Sequence, residues 1–394
     1  MRSTPFTALL LAMVLALATA AVASPDVAGE SIDGEPVPIG TFRKLRSEVL
    51  GEDRLLLVCL PTDYEESTLS YPVLFVLYAD QIRGYFAESV HTVDRLSGEG
   101  SIPQMIIVGV ANVDRYRDLS PVGRRGNPSG IEPFSRFVEE ELIPFVDAEY
   151  RAKDYRVLIG PQAGSAFGLY TLGTRPGLFD AFILENPFRS AEAHEVLMPL
   201  AEGLAGEGLG SPTFLHIMSP DRAGYLDMTE QMGYLRHFEE AAAERDPPNL
   251  TLVVRHVDGG EDFIPPLLVK EGLRELFRGH RFPDDVVVKR LADITEHYAA
   301  LSGRLGFEID VPERVLATKG DELNGAGAVE AAMGVLGYLI EAYPTSVDGY
   351  WRLANLHREQ GNREAALRYY RKCLEFIPNM PPALYWIEQL EVQE

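Results

Sequence analysis

Few residues in this 394-residue chain combine a reactive type with a suggestive position. Ser165 lies just after a glycine-bounded turn and opens a segment with helical periodicity. Its hydroxyl could serve as a nucleophile; the simpler reading is a first-turn helix serine that satisfies local backbone groups. His256 ends an apolar run, and it could act as a base only if a nucleophile came within hydrogen-bond reach; a structural role is the alternative. Arg115, Arg117 and Asp118 place two guanidinium groups and a carboxylate within four residues. They suit either a grip on an anionic ligand or an internal ion-pair network, and spacing alone leaves both open.

Other candidates carry less. Cys59 lies in a strand-like apolar run and Cys373 on a helix face, so both read as free core hydrophobes. No Cys-x-x-Cys occurs and neither cysteine clusters with histidine, so no metal or other cofactor is indicated. Glu139 to Glu141 reads as a solvated helix face, and Arg124-Arg125-Gly126 as an exposed loop. Asp and Glu number 59 against 36 Lys and Arg, a net charge of -23, which sets the global field against a phosphate backbone and argues against nucleic acid as a partner.

The elements that must position these residues follow from patterning. Residues 1–23 carry Arg2, an apolar run from Ala8 to Leu17 and the small-residue site Ala21-Val22-Ala23, which together read as a cleavable secretory signal. The protein is therefore expected in a periplasm or outside the cell, with no integral membrane segment left after cleavage. Residues 24–37 form an acidic, aperiodic leader. Phe42–Leu50 alternates apolar and polar side chains and Arg54–Pro61 is a second strand, the two joined at Gly51. Then come short, nearly continuous apolar runs at Tyr71–Leu77, Gln104–Val110, Tyr155–Gly160, Asp180–Leu184, Thr213–Ile217 and Leu250–Arg255. Such runs suit strands buried on both faces. Helix-period segments at 81–96, 131–149, 165–175, 190–205, 225–245 and 265–277 separate them. An antiparallel start followed by six crossover-linked strands predicts an α/β-hydrolase layout over residues 38–278, with ligands at the carboxyl ends of the strands.

From about residue 279 strand signals stop. Asp284–Ser302 and Val329–Ala342 read as helices, and Tyr350, Leu353, Ala354, His357, Gly361, Ala366, Tyr370, Cys373 and Pro378 fit the packing positions of a tetratricopeptide repeat. Pro344 precedes Pro378 by 34 residues, the period of that repeat. The expected fold class is thus α/β, an α/β-hydrolase fold with an all-helical tetratricopeptide-like extension over 279–394. A single helix pair cannot bury its apolar face alone, so the extension must pack on its neighbours.

Several stretches resemble the Putative esterase family of α/β-hydrolases, which includes enterochelin esterases and S-formylglutathione hydrolases. They are Arg54–Leu60, Tyr71–Leu77, Leu96-Ser-Gly-Glu-Gly-Ser-Ile-Pro103, Arg115-Tyr-Arg-Asp-Leu-Ser-Pro121 and Glu140–Tyr150. The resemblance implies a nucleophilic serine on a strained strand-to-helix turn. Here that turn is Gly160-Pro-Gln-Ala-Gly164, with both glycines kept and Gln162 where the serine would stand. A carboxamide cannot form an acyl-enzyme. The resemblance places the triad's acid at Asp221 and its histidine near Glu261, in a loop without histidine. It also implies an oxyanion hole from the backbone N–H of Ala163 and one from the Tyr78-Ala79 turn, although a phenol at position 78 would reshape the cleft floor.

The leading expectation is an exported hydrolase-fold protein with a degenerate triad, acting as a ligand-binding or protein-interaction module with its helical tail as a docking surface. The rival is a hydrolase of carboxylic esters or thioesters working through Ser165 and His256. A third reading makes the tail the active part and the hydrolase domain a spacer.

Overall fold

The computed structural model describes residues 39–392 except 80–83, 112–113, 124–127, 189, 208, 221, 224–225, 228 and 258–263. The expected signal and leader, Arg124, Arg125, Asp221 and Glu261 lie outside the described residues.

Eight strands form one sheet: β1 Thr41–Ser47, β2 Glu52–Cys59, β3 Tyr71–Leu77, β4 Ile106–Val110, β5 Ala152–Gly160, β6 Ala181–Glu185, β7 Thr213–Pro220 and β8 Leu250–Val257. Their spatial order is β1-β2-β4-β3-β5-β6-β7-β8. β1 pairs antiparallel with β2, and β2 antiparallel with β4, whereas every other neighbouring pair is parallel. All residues of β3, β4 and β6 are buried, as continuous apolar runs in a covered parallel sheet require. The edges differ. β1 is mostly exposed, in line with its alternating sequence, whereas β8 departs from the expectation of burial on both faces: it has no fully buried residue, because it is the edge strand and pairs only with β7.

Adjacent residues of β6 show that helices cover both faces. A Cβ on Gly272, in the helix Ile264–Leu276, would come 2.5 Å from Ile183, while one on Gly168, in the helix Ala163–Thr174, would come 2.6 Å from Leu184. Neighbouring side chains on a strand point to opposite faces, so these two helices approach the sheet from opposite sides, each through a glycine that permits close contact. Tyr85–Gly98 joins the first of them, and Ala191–Glu207 packs on the second with Thr229–Arg245 beyond it.

The helical tail comprises Leu291–Leu305, Glu313–Gly325, Val329–Ala342, Val347–Glu359, Arg363–Phe376 and Pro381–Glu391. The first of these starts seven residues later than the expected Asp284. The β-branched run Val286-Val-Val288 has low helix propensity, and the helix begins where the Asp293 carboxylate can accept the N–H groups of Lys289 (2.7 Å) and Arg290 (3.1 Å). Glu313–Gly325 and Pro381–Glu391 had no counterpart in the sequence reading. The tail is joined to the sheet through a shared core, in which Ile294, Tyr298, Leu316, Leu336, Leu339, Leu353 and Leu356 belong to the same buried cluster as the strands. Tyr155 at the start of β5 stacks on Phe307 at 3.9 Å, and Arg304 donates to the carbonyls of Leu276 and Arg278. A smaller second core holds the last three helices together through Tyr350, Ala354, Ala366, Tyr370, Cys373, Ala383 and Leu390. Cys373 is fully buried and Cys59 partly so, and both are free thiols.

One buried group makes the fold pH-sensitive. His216 in β7 is fully buried, neither ring nitrogen has a hydrogen-bond partner among the described residues, and burial, with Arg255 nearby, pushes its pKa down to about 4. Between about pH 6.5 and 4 the unfolded chain holds a proton here that the folded chain refuses, so stability falls as pH drops, by about 3 kcal/mol for this group. His216→Leu removes that sensitivity and two orphaned polar atoms together. Urea melts at pH 7 and pH 4.5 should therefore show the variant losing less stability on acidification than the unsubstituted chain. Equal losses would refute the assignment.

Candidate active site at the strand-to-helix elbow

β5 ends at Gly160 and the next helix starts at Ala163, so Pro161 and Gln162 must turn the chain within two residues. Gln162 does this at φ 49°, ψ -118°, a positive φ that a side chain with a Cβ rarely adopts. A Cβ on Gly160 would lie 2.4 Å from the Gly164 carbonyl oxygen, so the turn requires glycine at 160, while a Cβ on Gly164 would press on the Leu77 side chain at 3.1 Å. The chain thus keeps the strained geometry that lifts a nucleophile above a sheet while presenting a carboxamide there.

The donors around the turn are already engaged. The Gln162 N–H donates to the Glu185 carboxylate at 2.9 Å, and the same carboxylate lies 3.4 Å from the Tyr85 hydroxyl. Glu185, at the carboxyl end of β6, is buried. The Ala163 N–H, expected as an oxyanion-hole donor, instead meets the phenol oxygen of Tyr78 at 3.3 Å. Tyr78 reaches it from the end of β3 with φ 65°, and its side chain is buried. In the Tyr78-Ala79 turn, which was expected to supply the second donor, the Ala79 N–H goes to the Val110 carbonyl at 3.2 Å. Tyr78 therefore does more than reshape the floor, because its own oxygen stands where a substrate oxyanion would need to be.

The alternative nucleophile does not face the cleft. Ser165 is fully buried and its hydroxyl donates back to the Gln162 carbonyl, the first-turn role that competes with catalysis. His256 lies on the exposed side of β8, with Nε2 3.5 Å from Glu239 of the covering helix Thr229–Arg245. Its Cα pairs in register with Ser219, not with any residue of the elbow. Structure brings Ser165 to the elbow but not His256.

Arg115, Arg117 and Asp118 lie in a short helix, Arg115–Leu119, capped by the Asp114 side chain, and they divide between the two readings left open by sequence. Asp118 is buried and accepts from the fully buried Arg54 at 2.7 Å and from Arg117, and Arg117 also pairs with Glu52 at 2.7 Å. Those residues build a network beneath this helix, with Arg54 additionally against the rings of Phe134 and Phe137. Arg115 stays apart from it. Its guanidinium lies over the Tyr78 ring at 5.4 Å and the Tyr116 ring at 5.5 Å, and it makes no ion pair among the described residues. Glu139 and Glu140 pair with Arg175 and Arg136 on a solvated helix face as expected, whereas Glu141 leaves that pattern and caps the β1–β2 hairpin by accepting from Ser47 and from the N–H groups of Glu48 and Val49.

Sequence reasoning missed Glu185, Tyr85 and Arg54. For Glu185 a signal existed, an acidic residue closing an otherwise apolar strand run. Among the described residues no three His, Cys, Asp or Glu side chains converge on a metal-sized site, and no helix is long and apolar enough to cross a membrane.

The family description "Putative esterase" matches residues 47–196. YjcH, an uncharacterized protein of Bacillus subtilis (strain 168), is 29% identical over 153 residues, covering 37% of this chain and 60% of YjcH. Ferri-bacillibactin esterase BesA of the same organism is 28% identical over 137 residues, covering 30% of this chain and 47% of BesA. The chain thus spans less than two thirds of either relative's length. Among solved structures, an IroE-like serine hydrolase from Shewanella oneidensis superposes with a TM-score of 0.64 at 20% identity, over 77% of this chain and 99% of that one. An uncharacterised protein from Capnocytophaga ochracea gives 0.61 at 17% identity over 90% and 99%. At such identities the superpositions speak for the fold. On these grounds the chain has an α/β-hydrolase fold whose residues 47–196 are similar to the Putative esterase family.

Proposed function

We propose that this protein is a non-catalytic member of that family, a ligand-binding or protein-interaction module that keeps the hydrolase architecture and has lost acyl transfer. One observation carries the reading: Gln162 occupies the elbow while the Tyr78 oxygen takes the Ala163 N–H. Acyl transfer needs a nucleophile and a vacant donor for the oxyanion, and this pair of residues removes both. Arg115 over the Tyr78 ring leaves a cation and two aromatic faces at the mouth, features suited to holding a ligand rather than cleaving it. Ferri-bacillibactin, named in one relative, is the first ligand to test for binding without turnover. The sequence of residues 1–23 supports export, and the helical tail supplies a surface for a protein partner.

Labelling of the purified protein with a serine-reactive fluorophosphonate tests this reading. We expect no adduct on a chain shown to be folded by a cooperative melt. Stoichiometric labelling of any serine, located by peptide mapping, would overturn it in favour of a hydrolase with a displaced nucleophile.

A further inference from the structure

A second concave site lies at the other end of the strands. The cleft of about 310 Å³ is lined by Tyr71 and Pro72 at the start of β3, Gln104 ahead of β4, Lys153 at the start of β5, and residues of the tail from Phe307 to Arg314. Along β5 it is about 23 Å from the elbow at ~3.3 Å per residue, so it is independent of the hydrolase centre. It exists only because the tail packs against the sheet, and junctions between packed units are where ligand clefts commonly form.

Its chemistry is one-sided. The sheet side contributes Asp63 and Asp94, the tail side Glu308, Asp310 and Glu313, and against these five carboxylates stand only Lys153 and Arg314. Lys153 is already committed, donating to Asp310 at 2.7 Å and to the Glu308 carbonyl at 2.8 Å. Asp63 and Asp94 make no ion pair among the described residues. His280 also lines the cleft; it is buried, and its Nδ1 lies 3.0 Å from the Gly100 carbonyl, which can only accept. Nδ1 therefore carries the proton, and with burial holding the ring's pKa at about 4, Nε2 keeps its lone pair. Tyr71 is 3% exposed and its hydroxyl has no hydrogen-bond partner among the described residues. The walls between these groups are apolar, from Ile102, Phe307, Ile309 and Pro312.

We propose that this cleft binds an organic polyamine, an aliphatic chain with ammonium groups spaced to reach the carboxylates of both sides while its methylenes lie on the apolar walls. Acceptors predominate, so the ligand must bring donors. Carboxylates on opposite walls favour an extended cation over a compact one, and no three acidic or histidine side chains among the described residues come close enough to hold a metal ion. Such a ligand would bridge the sheet domain and the tail.

Spermidine titrated into the full chain by calorimetry at physiological salt tests this. We expect saturable one-to-one binding that the double variant Asp63→Asn/Asp94→Asn weakens by about tenfold or more, and that Glu388→Gln, which removes an exposed charge on the last helix, leaves unchanged. Both altered aspartates are exposed, so the double variant keeps its fold, which a melt verifies. Absence of saturable binding, equal weakening by Glu388→Gln, or displacement of spermidine by an equal concentration of Mg²⁺ would each overturn the proposal.

Discussion

Gln162→Ser is expected to leave ester turnover at background. The substitution restores a hydroxyl on a turn whose backbone is already correct, so it isolates the rest of the machinery. Two obstacles remain. The Ala163 N–H is held by the Tyr78 oxygen, and loss of one oxyanion donor alone costs about 10²–10³ in rate. A base is missing as well: residues 258–263 include no histidine, and His256 is engaged with Glu239. A serine without its base loses about as much as a triad removed entirely, on the order of 10⁶. Assays with p-nitrophenyl butyrate should therefore not separate Gln162→Ser from the unsubstituted chain. A gain of about a hundredfold or more would show that a base reaches position 162 and that Tyr78 yields to substrate.

Asp118→Ala should be among the most destabilising single changes in the sheet domain. Among the described residues it leaves the Arg54 guanidinium, which has no solvent exposure, with only the partly exposed Glu52 for charge compensation. Removing one partner of a buried pair typically costs about 3–5 kcal/mol, because the remaining charge is stranded in a poorly polarisable interior. The double variant Arg54→Met/Asp118→Leu replaces the pair with apolar groups and should recover most of that loss. Denaturant melts of the three proteins measure both steps. A cost below about 1 kcal/mol for Asp118→Ala would mean that the pair behaves like a surface ion pair and that the helix Arg115–Leu119 is not anchored through it.

These two cases also mark where sequence was readable. The central strands were legible because burial on both faces leaves an unmistakable apolar run, and their order of appearance restricted the winding; the apolar run of β8 gave the strand but not its exposure at the sheet edge. The elbow was legible because glycine at 160 is a backbone requirement, and it survives together with Gly164 despite the change at 162. What Tyr78 does was only half visible: a large side chain could be foreseen, but which N–H its oxygen would meet depends on how β3 and β5 lie side by side. The Arg115/Arg117/Asp118 ambiguity had the same origin. Arg54, which decides the roles of Arg117 and Asp118, sits more than sixty residues away, and nothing in its own strand signals that it points inward. Asp221 and Glu261 fall outside the described residues, so their roles rest on sequence alone. In the tail, periodicity found the helices with strong apolar stripes and missed Glu313–Gly325, whose buried face includes Lys319 and Gly320 and so reads as polar.

The core that runs unbroken from the strands into the tail changes what kind of object this protein is. On paper the boundary near residue 279 invites shuffling, as if the helices were a cassette appended to an enzyme. Physically, a break there would strip a large apolar surface from both pieces. Only the last helices, with a small core of their own, have the independence of a replaceable part. Substitutions on the two sides of the junction are therefore constrained to compensate one another, and a lineage could lengthen or exchange its distal helices far more readily than it could acquire or discard the tail as a whole.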